Sequence, residues 1–202
     1  MDLQNEEMHK EKASRRKEAF EKRKAQATQE KGLIIVNTGA GKGKTTAALG
    51  LAFRALGHGL KVGIVQFIKG AIPTGEAALT ARLNLPIEMH TMGDGFTWNT
   101  QDRAQDMASA GKAWDKAVSL LRDVSFGLVI LDELNVVLNY EYLPLALVLE
   151  ELQRKRPDLH VAITGRNARP ELVALADLVT EMKLVKHPYR EQRVKPQKGI
   201  EF

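Results

Sequence analysis

The chain has 202 residues, of which 44% are hydrophobic and 27% charged, a composition typical of a soluble globular protein; the length indicates one domain with an added segment. It has no cysteine, which excludes disulfides, thiolate metal sites and a thiol nucleophile. It also has no apolar run near the ~18 residues of a membrane span and no secretory signal, so we expect a cytoplasmic protein without a membrane partner.

The net charge is +5 and the sequence pI about 9.4. Such a charge suits a polyanionic partner, either nucleic acid or a triphosphate. The basic residues are interleaved with acidic ones, and aromatic residues make up 5% of the chain, whereas surfaces that bind single strands place aromatics beside basic grooves. We therefore interpret the charge as a mildly basic surface and expect no nucleic-acid partner.

Residues 1–31 form a separate charged segment that is rich in helix-forming residues but lacks an apolar stripe. Alone, this segment should be disordered or a marginal helix. It is either a solvated leader or a helix that becomes ordered over a site or a partner subunit. We therefore expect a mobile or helical lid at residues 1–31 and the main domain at residues 32–202.

From residue 33 onward, short apolar runs alternate with helical patterns. The predicted strands are Leu33–Val36, Val62–Ile68, Ile87–Thr91, Leu128–Leu131, Val161–Thr164 and Leu178–Val185. The predicted helices are Lys44–Leu56, Gln101–Arg122, Pro144–Lys155 and Pro170–Ala176. Gly57 and Gly59 are expected to end the first of them. The apolar stripe of the second of these helices is Ala104, Met107, Ala108, Gly111, Trp114, Val118 and Leu121.

The alternation of strands and helices predicts an α/β domain, with a mostly parallel sheet and helices on both faces. In such sheets, ligands bind at the carboxyl ends of the strands. The polar tail, residues 186–202, is predicted to be irregular.

A glycine-rich stretch, NTGAGKGKTTAALG (residues 37–50), joins the first predicted strand to the first predicted helix. It resembles the phosphate-binding pattern G-x-x-x-x-G-K-[ST], except that Thr38 stands where the first glycine is expected. Its glycines let backbone N–H groups point at an anion, and the helix dipole adds positive potential. Lys44 supplies a full charge, and Thr45 a hydroxyl suited to Mg²⁺. We expect a polyphosphate with Mg²⁺ here; the other candidate contacts are Gly39, Ala40, Gly41, Lys42, Gly43 and Thr46.

A second motif, FGLVILDELN (residues 126–135), ends a buried strand with two acids. After a phosphate-binding loop, such a strand delivers an acid to Mg²⁺, because carboxylate, hydroxyl and phosphate oxygens suit that ion. Asp132 and Glu133 are both candidate ligands. In an ATPase, the second acid could instead activate a water molecule.

Two aromatic residues, Phe96 and Trp98, lie in the predicted loop GDGFTWN (residues 93–99). Large aromatic side chains are costly to leave in water, so they pack either on the core or on a flat organic ligand. The five histidines show no metal-ligand spacing, and no Ser/His/Asp set is evident. With no protein nucleophile in view, either water or the substrate must attack.

Together these motifs resemble the P-loop type of ATP:corrinoid adenosyltransferase, which acts on cob(I)alamin or cob(I)yrinic acid a,c-diamide. The resemblance covers residues 33–202, with the motifs in family order. The stretches that carry it are TGAGKGKTTAALGLAFRALGHGLKVGIVQFIKG (38–70), GDGFTW (93–98), LDELN (131–135), TGRNARPELVALADLVTEMK (164–183) and KGIEF (198–202).

The resemblance implies a RecA-like P-loop domain, typically a homodimer. The Co(I) centre of the corrinoid attacks the 5′ carbon of ATP, a cobalt–carbon bond forms, and inorganic triphosphate leaves, in adenosylcobalamin synthesis or salvage. ATP would lie in the loop in the reverse direction, which exposes C5′. The loop would then hold a leaving group, and Thr38 would be tolerated in place of glycine.

The resemblance also implies roles for single residues. Thr45 and Glu133 would hold Mg²⁺, or Mn²⁺ in its place, with Asp132 close by. Phe96 and Trp98 would pack beside the corrin and exclude the lower axial ligand of the cobalt. A four-coordinate Co(II) corrinoid is easier to reduce to Co(I), so this apolar packing would tune the redox step.

Other implied contacts concern the nucleotide. Lys44, with the loop, would stabilise the charge that develops on triphosphate. Arg54 and Arg166 are further candidates for nucleotide binding. Ala40 is a departure, because some relatives carry a polar side chain there; a side-chain contact would be missing while the backbone N–H remains.

The implied partners are ATP, a corrinoid and a reduced flavoprotein as electron donor, with the N-terminal segment as a mobile helix that covers the corrinoid. Two other hypotheses remain. One is a RecA-like ATPase or kinase that uses Asp132 or Glu133 for phosphoryl chemistry. The other is a nucleic-acid-binding module that uses the basic N-terminus, whose binding would fall steeply with salt.

Overall fold

The computed structural model describes residues 2–68, 74–92 and 102–201, and the chain divides into two compact units, Met1–Lys31 and Gly32–Phe202. The first unit contains one helix, α1 (Asp2–Gln26). Met8 and Phe20 are both more than 60% exposed, and a weak i,i+4 ion pair joins Glu11 to Arg15. This helix is polar around its circumference, as the absence of an apolar stripe predicts.

The second unit is an α/β domain built on one sheet. Its described strands are β1 (Ile34–Thr38), β2 (Lys61–Gln66), β3 (Ile87–Thr91), β4 (Phe126–Asp132), β5 (His160–Thr164) and β6 (Leu178–Glu181). Its described helices are α2 (Lys44–Gly57), α3 (Gly75–Leu83), α4 (Arg103–Arg122), α5 (Leu134–Asn139), α6 (Leu145–Gln153), α7 (Pro170–Leu175) and α8 (Pro188–Gln192).

The strand order is β3-β2-β4-β5-β1-β6, and each recorded strand pair is parallel. Alternate residues of the central strands face opposite sides, so Ile35 and Ile130 pack against α2, whereas Val36 and Leu131 join the core beneath α4, α5, α6 and α7. The α/β fold with a parallel sheet and helices on both faces is thereby confirmed.

The apolar stripe predicted for α4 is partly wrong. Ala104, Met107 and Ala108 are exposed, and the buried apolar residues of this helix begin only at Ala110. The buried set is Ala110, Ala113, Trp114, Ala117, Leu120 and Leu121. Because α4 packs closely on β2 and β4, small alanines face the sheet. The apolar residues in the first turns of α4 are exposed, and an N-cap residue stabilises these turns. The cap is Asp102, whose carboxylate accepts from the N–H groups of residues 104 and 105.

Three described helices are absent from the sequence-based prediction: α3, α5 and α8. Each is short, and caps or turn residues define its start more than apolar periodicity does. Thr74 caps α3 through the N–H of Ala77, and His187 caps α8 within the tail that was expected to be irregular. The last strand also ends at Glu181, four residues before the predicted end, and its residues are exposed at the edge of the sheet.

Candidate phosphate-binding site

The glycine-rich loop lies at the carboxyl end of β1 and leads directly into α2. Gly43 takes a left-handed conformation (φ +100°) at the N-cap position, so α2 begins at Lys44. A residue with a side chain would be strained at that φ, which explains the glycine. The N-terminal end of a 14-residue helix therefore faces the loop, an arrangement that favours an anion.

The side chain of Lys44 extends into the loop and is buried there. Its Nζ donates to the carbonyl oxygens of Gly39 at 2.9 Å and Gly41 at 2.5 Å, and the residue is 7% exposed. Burial lowers the pKa of Lys44 below its usual value, the charge of Glu133 opposes that shift, and the cations of Arg166 and Lys42 reinforce it. These four charged groups thus share one electrostatic environment around the loop.

The chain that follows β6 closes one side of the loop. The N–H of Gly41 donates to the carbonyl of Met182 at 2.6 Å, and the N–H of Met182 donates to the carbonyl of Thr38 at 2.8 Å. A Cβ on Gly39 would lie 2.5 Å from the Met182 carbonyl oxygen, and one on Gly41 would lie 2.7 Å from that of Lys183. These two glycines therefore allow the close backbone approach that shapes the loop.

Thr38, the departure from the usual phosphate-loop pattern, has a structural contact. Its hydroxyl accepts a hydrogen bond from the N–H of Ala168 at 3.0 Å. Ala168 follows β5, so this bond ties the start of the phosphate-binding loop to the neighbouring strand–helix connection. A glycine at position 38 could not make it.

Asp132 ends β4 directly below the start of α2. It is 1% exposed, and its Oδ1 accepts from the hydroxyls of Thr45 at 2.8 Å and Thr164 at 2.7 Å. Its Oδ2 accepts from the amide Nε2 of Gln66 at 3.0 Å. A buried carboxylate with donors on both oxygens is held in one orientation.

Glu133 follows in a left-handed conformation (φ +63°) and forms the N-cap position of α5. Its N–H donates to the hydroxyl of Thr164 at 2.9 Å. Because of this sharp turn, the two consecutive acids have different partners. Asp132 joins the hydrogen-bonded network, whereas the charge of Glu133 acts on the pKa of Lys44. The two consecutive acids therefore have different surroundings, although the motif alone makes both of them candidate ligands.

The connection after β5 completes the site. Gly165 (φ +126°) has Asn135 packed against it, and the amide of that asparagine donates to the Gly165 carbonyl at 3.0 Å. The Nδ2 of Asn139 bonds the carbonyls of Arg166 and Asn167. Because its backbone is held in this way, Arg166 stays close enough to affect the pKa of Lys44.

The structure does not bring every predicted site residue to the loop. Arg54 is exposed in the last turn of α2, ten residues and therefore about 15 Å along the helix from Lys44. That position argues against direct contact with a triphosphate. Ala40 and Thr46 are exposed at the loop. Phe96 and Trp98 lie outside the described residues, so their predicted role stays a prediction.

Several contributors to the site escaped sequence analysis. Gln66 and Thr164 are polar residues at the ends of apolar strands, and that position is the signal that could have identified them. Glu201 pairs with Lys42 across 159 positions; it belongs to the terminal KGIEF stretch, which indicates the family but not this contact. Over the described ranges, no group of three or more His, Cys, Asp or Glu side chains could hold a metal ion. Among the same residues, no helix is long and apolar enough to cross a membrane.

Comparisons with known proteins identify relatives over nearly the whole chain. Relatives named corrinoid adenosyltransferase are found in Sinorhizobium sp (50% identical over 196 residues, 96% of this chain and 91% of the relative) and Pseudomonas aeruginosa (50% over 194 residues, 96% and 95%). Another, from Escherichia coli K12, is 45% identical over 198 residues, 98% of this chain and all of the relative.

Among solved structures, domain III of the Thermotoga maritima replication initiation protein DnaA aligns with a TM-score of 0.36 and 10% identity, over 78% of this chain and 57% of that one. The model of the family described as ATP:corrinoid adenosyltransferase BtuR/CobO/CobP matches residues 30–202. With that match and these relatives, the chain belongs to the ATP:corrinoid adenosyltransferase family.

Proposed function

We propose that this protein transfers the 5′-deoxyadenosyl group of ATP to the Co(I) centre of a corrinoid, in adenosylcobalamin synthesis or salvage. The electron pair of Co(I) forms the cobalt–carbon bond, the bond between C5′ and the triphosphate oxygen breaks, and its electron pair leaves with triphosphate. The observation that carries the proposal is the phosphate-binding loop, formed around buried Lys44, in a chain of this family.

In this proposal, the loop binds the leaving group. The ammonium of Lys44 exchanges its bonds to the Gly39 and Gly41 carbonyls for phosphate oxygens, and the N-terminal end of α2 adds positive potential. Lys42 and Arg166 contribute further positive charge, since both act on the pKa of Lys44. These groups stabilise the charge that triphosphate gains as the C5′–O bond breaks.

The donor set around Thr45 fits Mg²⁺, and Mn²⁺ as a substitute. A threonine hydroxyl at the start of the helix and a carboxylate on the neighbouring strand are oxygen ligands of the kind that Mg²⁺ prefers. Asp132 already accepts bonds on both oxygens, so we assign it to orient Thr45, and we assign Glu133 as the carboxylate ligand. Bound there, Mg²⁺ would neutralise part of the triphosphate charge.

The corrinoid side of the proposal depends on Phe96 and Trp98. We propose that these aromatics exclude the lower axial ligand of the cobalt, which makes Co(II) easier to reduce. The family's mobile N-terminal helix supports a similar role for α1 as a lid. We further propose a homodimer, a reduced flavoprotein as electron donor, and a cytoplasmic location, where ATP and reduced flavins are both available.

An anaerobic assay tests the function. The protein is mixed with MgATP and chemically reduced cob(I)alamin, the Co(I) absorbance is followed, and the phosphate product is identified. Loss of Co(I), a light-sensitive organocobalt product and intact triphosphate are expected. ADP and phosphate without a cobalt–carbon bond would instead identify an ATPase or kinase and overturn the proposal.

A further inference from the structure

The carboxyl ends of neighbouring strands carry polar residues in one register. Thr91 of β3 pairs with Gln66 of β2, Gln66 pairs with Asp132 of β4, and Thr164 of β5 pairs with Asn37 of β1. The hydroxyl of Thr164 donates to Oδ1 of Asp132 at 2.7 Å and so joins the polar residues of β3, β2 and β4 to those of β5 and β1. A row of polar side chains therefore crosses the sheet beneath the phosphate-binding loop.

The side chain of Gln66 forms hydrogen bonds with both of its neighbours in this row, Thr91 and Asp132. These partners determine which way the amide group is oriented. The NH₂ group can only donate, and it faces the Asp132 carboxylate, which can only accept when ionised, at 3.0 Å. The amide oxygen accepts from the hydroxyl of Thr91 at 3.1 Å. The backbone carbonyl of Gln66 also accepts from the N–H of Met92, so the side chain and the main chain both join the end of β3 to this position.

Gln66 is a polar residue buried between apolar neighbours. The residue is 2% exposed at the end of a strand whose neighbouring residues, Val65 and Phe67, belong to the apolar core. An apolar side chain of similar volume would fill this place without the cost of burying an amide. Unlike such an apolar side chain, the amide donates to Oδ2 of Asp132, the oxygen opposite the one that accepts from Thr45.

Without that donor, rotation of the carboxylate would no longer be restrained from the Gln66 side. Oδ1 would then hold the Thr45 hydroxyl less rigidly, although Thr164 would still donate to it. Partners that orient a metal ligand from behind typically contribute about tenfold to a hundredfold in metal affinity. Asp132 occupies such a position relative to Thr45, and Gln66 supports Asp132 one hydrogen bond further from the proposed metal, so a smaller effect is expected from Gln66.

We propose that Gln66 is a positioning residue for the proposed Mg²⁺–triphosphate site: it fixes Asp132 through Oδ2, so that Oδ1 orients Thr45. This inference rests on the proposed function of Thr45 as a metal ligand. Thr91 completes the arrangement because it fixes the amide orientation of Gln66.

The test compares ATP binding with and without Mg²⁺ by calorimetry, in the absence of corrinoid and turnover. Gln66→Met keeps the volume and the packing but removes both side-chain hydrogen bonds. It should weaken MgATP binding by about threefold to tenfold, below the range for a direct partner of a metal ligand, and change metal-free ATP binding by less than about twofold. Gln153→Met, at an exposed glutamine on α6, is the matched control and should change neither affinity.

Thr91→Val provides a second variant at the exposed end of β3, where folding is less at risk. It should weaken MgATP binding in the same selective way but by a smaller factor. Equal loss of both affinities, or loss of neither, in Gln66→Met and Thr91→Val would overturn the positioning role. If the wild-type protein itself binds ATP equally with and without Mg²⁺, the proposed metal role of Thr45 is wrong, and the inference about Gln66 is overturned with it.

Discussion

The carboxylate of Glu201 pairs with the ammonium of Lys42, which projects from the middle of the phosphate-binding loop. The acid is the more buried partner, with its side chain 19% exposed against 58% for the lysine. A turn holds it in place, since the N–H of Glu201 donates to the carbonyl of Gln197 at 2.9 Å. The Glu201 carboxylate thus forms an ion pair with Lys42, one of the cations that we propose bind triphosphate.

We expect Glu201→Gln to tighten MgATP binding by about threefold to tenfold, because the change frees Lys42 and removes a negative charge beside the phosphates. Calorimetric titration without corrinoid gives the dissociation constant. The matched control is Glu150→Gln, at an exposed acid on α6 that pairs with Arg154. An unchanged or weaker affinity in Glu201→Gln, with the control at the wild-type value, would mean that Glu201 does not compete with triphosphate.

Lys44→Met should lower kcat/KM for MgATP by about a hundredfold or more, whether the reaction starts from Co(II) or from Co(I). Methionine has a similar length but can neither donate to the Gly39 and Gly41 carbonyls nor carry charge to triphosphate. Two buried carbonyls also lose their donor, so the free energy of unfolding should fall by about 1–3 kcal/mol. Unchanged kinetics in a folded variant would remove Lys44 from the phosphate site.

Substitution by alanine should have opposite effects on stability at two glycines, Gly41 in the loop and Gly50 in α2. A Cβ on Gly41 would lie 2.7 Å from two backbone carbonyl oxygens, whereas one on Gly50, in α2, meets nothing within 4 Å. We expect Gly41→Ala to lower the melting temperature and weaken ATP binding, because the loop must move away from the chain after β6. Gly50→Ala should raise stability by about 0.5–1 kcal/mol and leave ATP binding unchanged. Equal melting temperatures for the two variants would contradict this account.

The parts of the site that sequence analysis identified are those with local signals. The glycines, Lys44 and Thr45 form a contiguous motif, and Asp132 and Glu133 end an apolar strand, so parallel-sheet geometry brings them together. The sheet itself follows from alternating apolar runs and helical patterns. The resemblance then selected one chemistry among those that such a loop allows.

The contributors that sequence analysis missed depend on distant contacts. Gln66 reaches Asp132 across 66 positions, and the backbone of Met182 contacts the loop after the chain has passed through five further strands. The position of Gln66 at the end of an apolar strand marks it as unusual, but the residues near Gln66 or Met182 do not show which distant group each one contacts. The face of α4 was misassigned for a similar reason: periodicity places apolar residues on a helix, but packing against the sheet decides which turns are buried.

Replacing both Phe96 and Trp98 by alanine should greatly reduce the reaction that starts from Co(II) with a reductant and spare much of the reaction from chemically supplied Co(I). The expected difference arises because these aromatics are proposed to assist reduction and not the attack on C5′. Phe53→Ala, at an exposed aromatic on α2, is the control and should affect neither assay. Equal losses from both starting states in the double variant would refute the axial-ligand role.

Away from the site, Arg122 of α4 forms an ion pair with Glu151 of α6. Nε and one terminal nitrogen of the guanidinium donate to the two carboxylate oxygens at 2.8 and 2.7 Å, a bidentate pair. The hydrogen bonds from Arg122 are the largest cause of a pKa for Glu151 below its usual value. A depressed acid pKa stabilises the fold above the unfolded-state pKa, and this contribution is lost as pH falls through the folded-state pKa.

Arg122→Gln should therefore lower the melting temperature at pH 7, and the difference from wild type should shrink as pH falls below about 4.5, the ordinary range of a glutamate pKa. Thermal unfolding followed by circular dichroism across pH 3 to 8 measures it. Arg15→Gln is the control, since its i,i+4 pair with Glu11 is exposed on both sides, lies in α1 and should contribute little. A melting-temperature difference for Arg122→Gln that stays constant down to pH 3 would show that the arginine stabilises the α4–α6 contact through its packing instead of its charge.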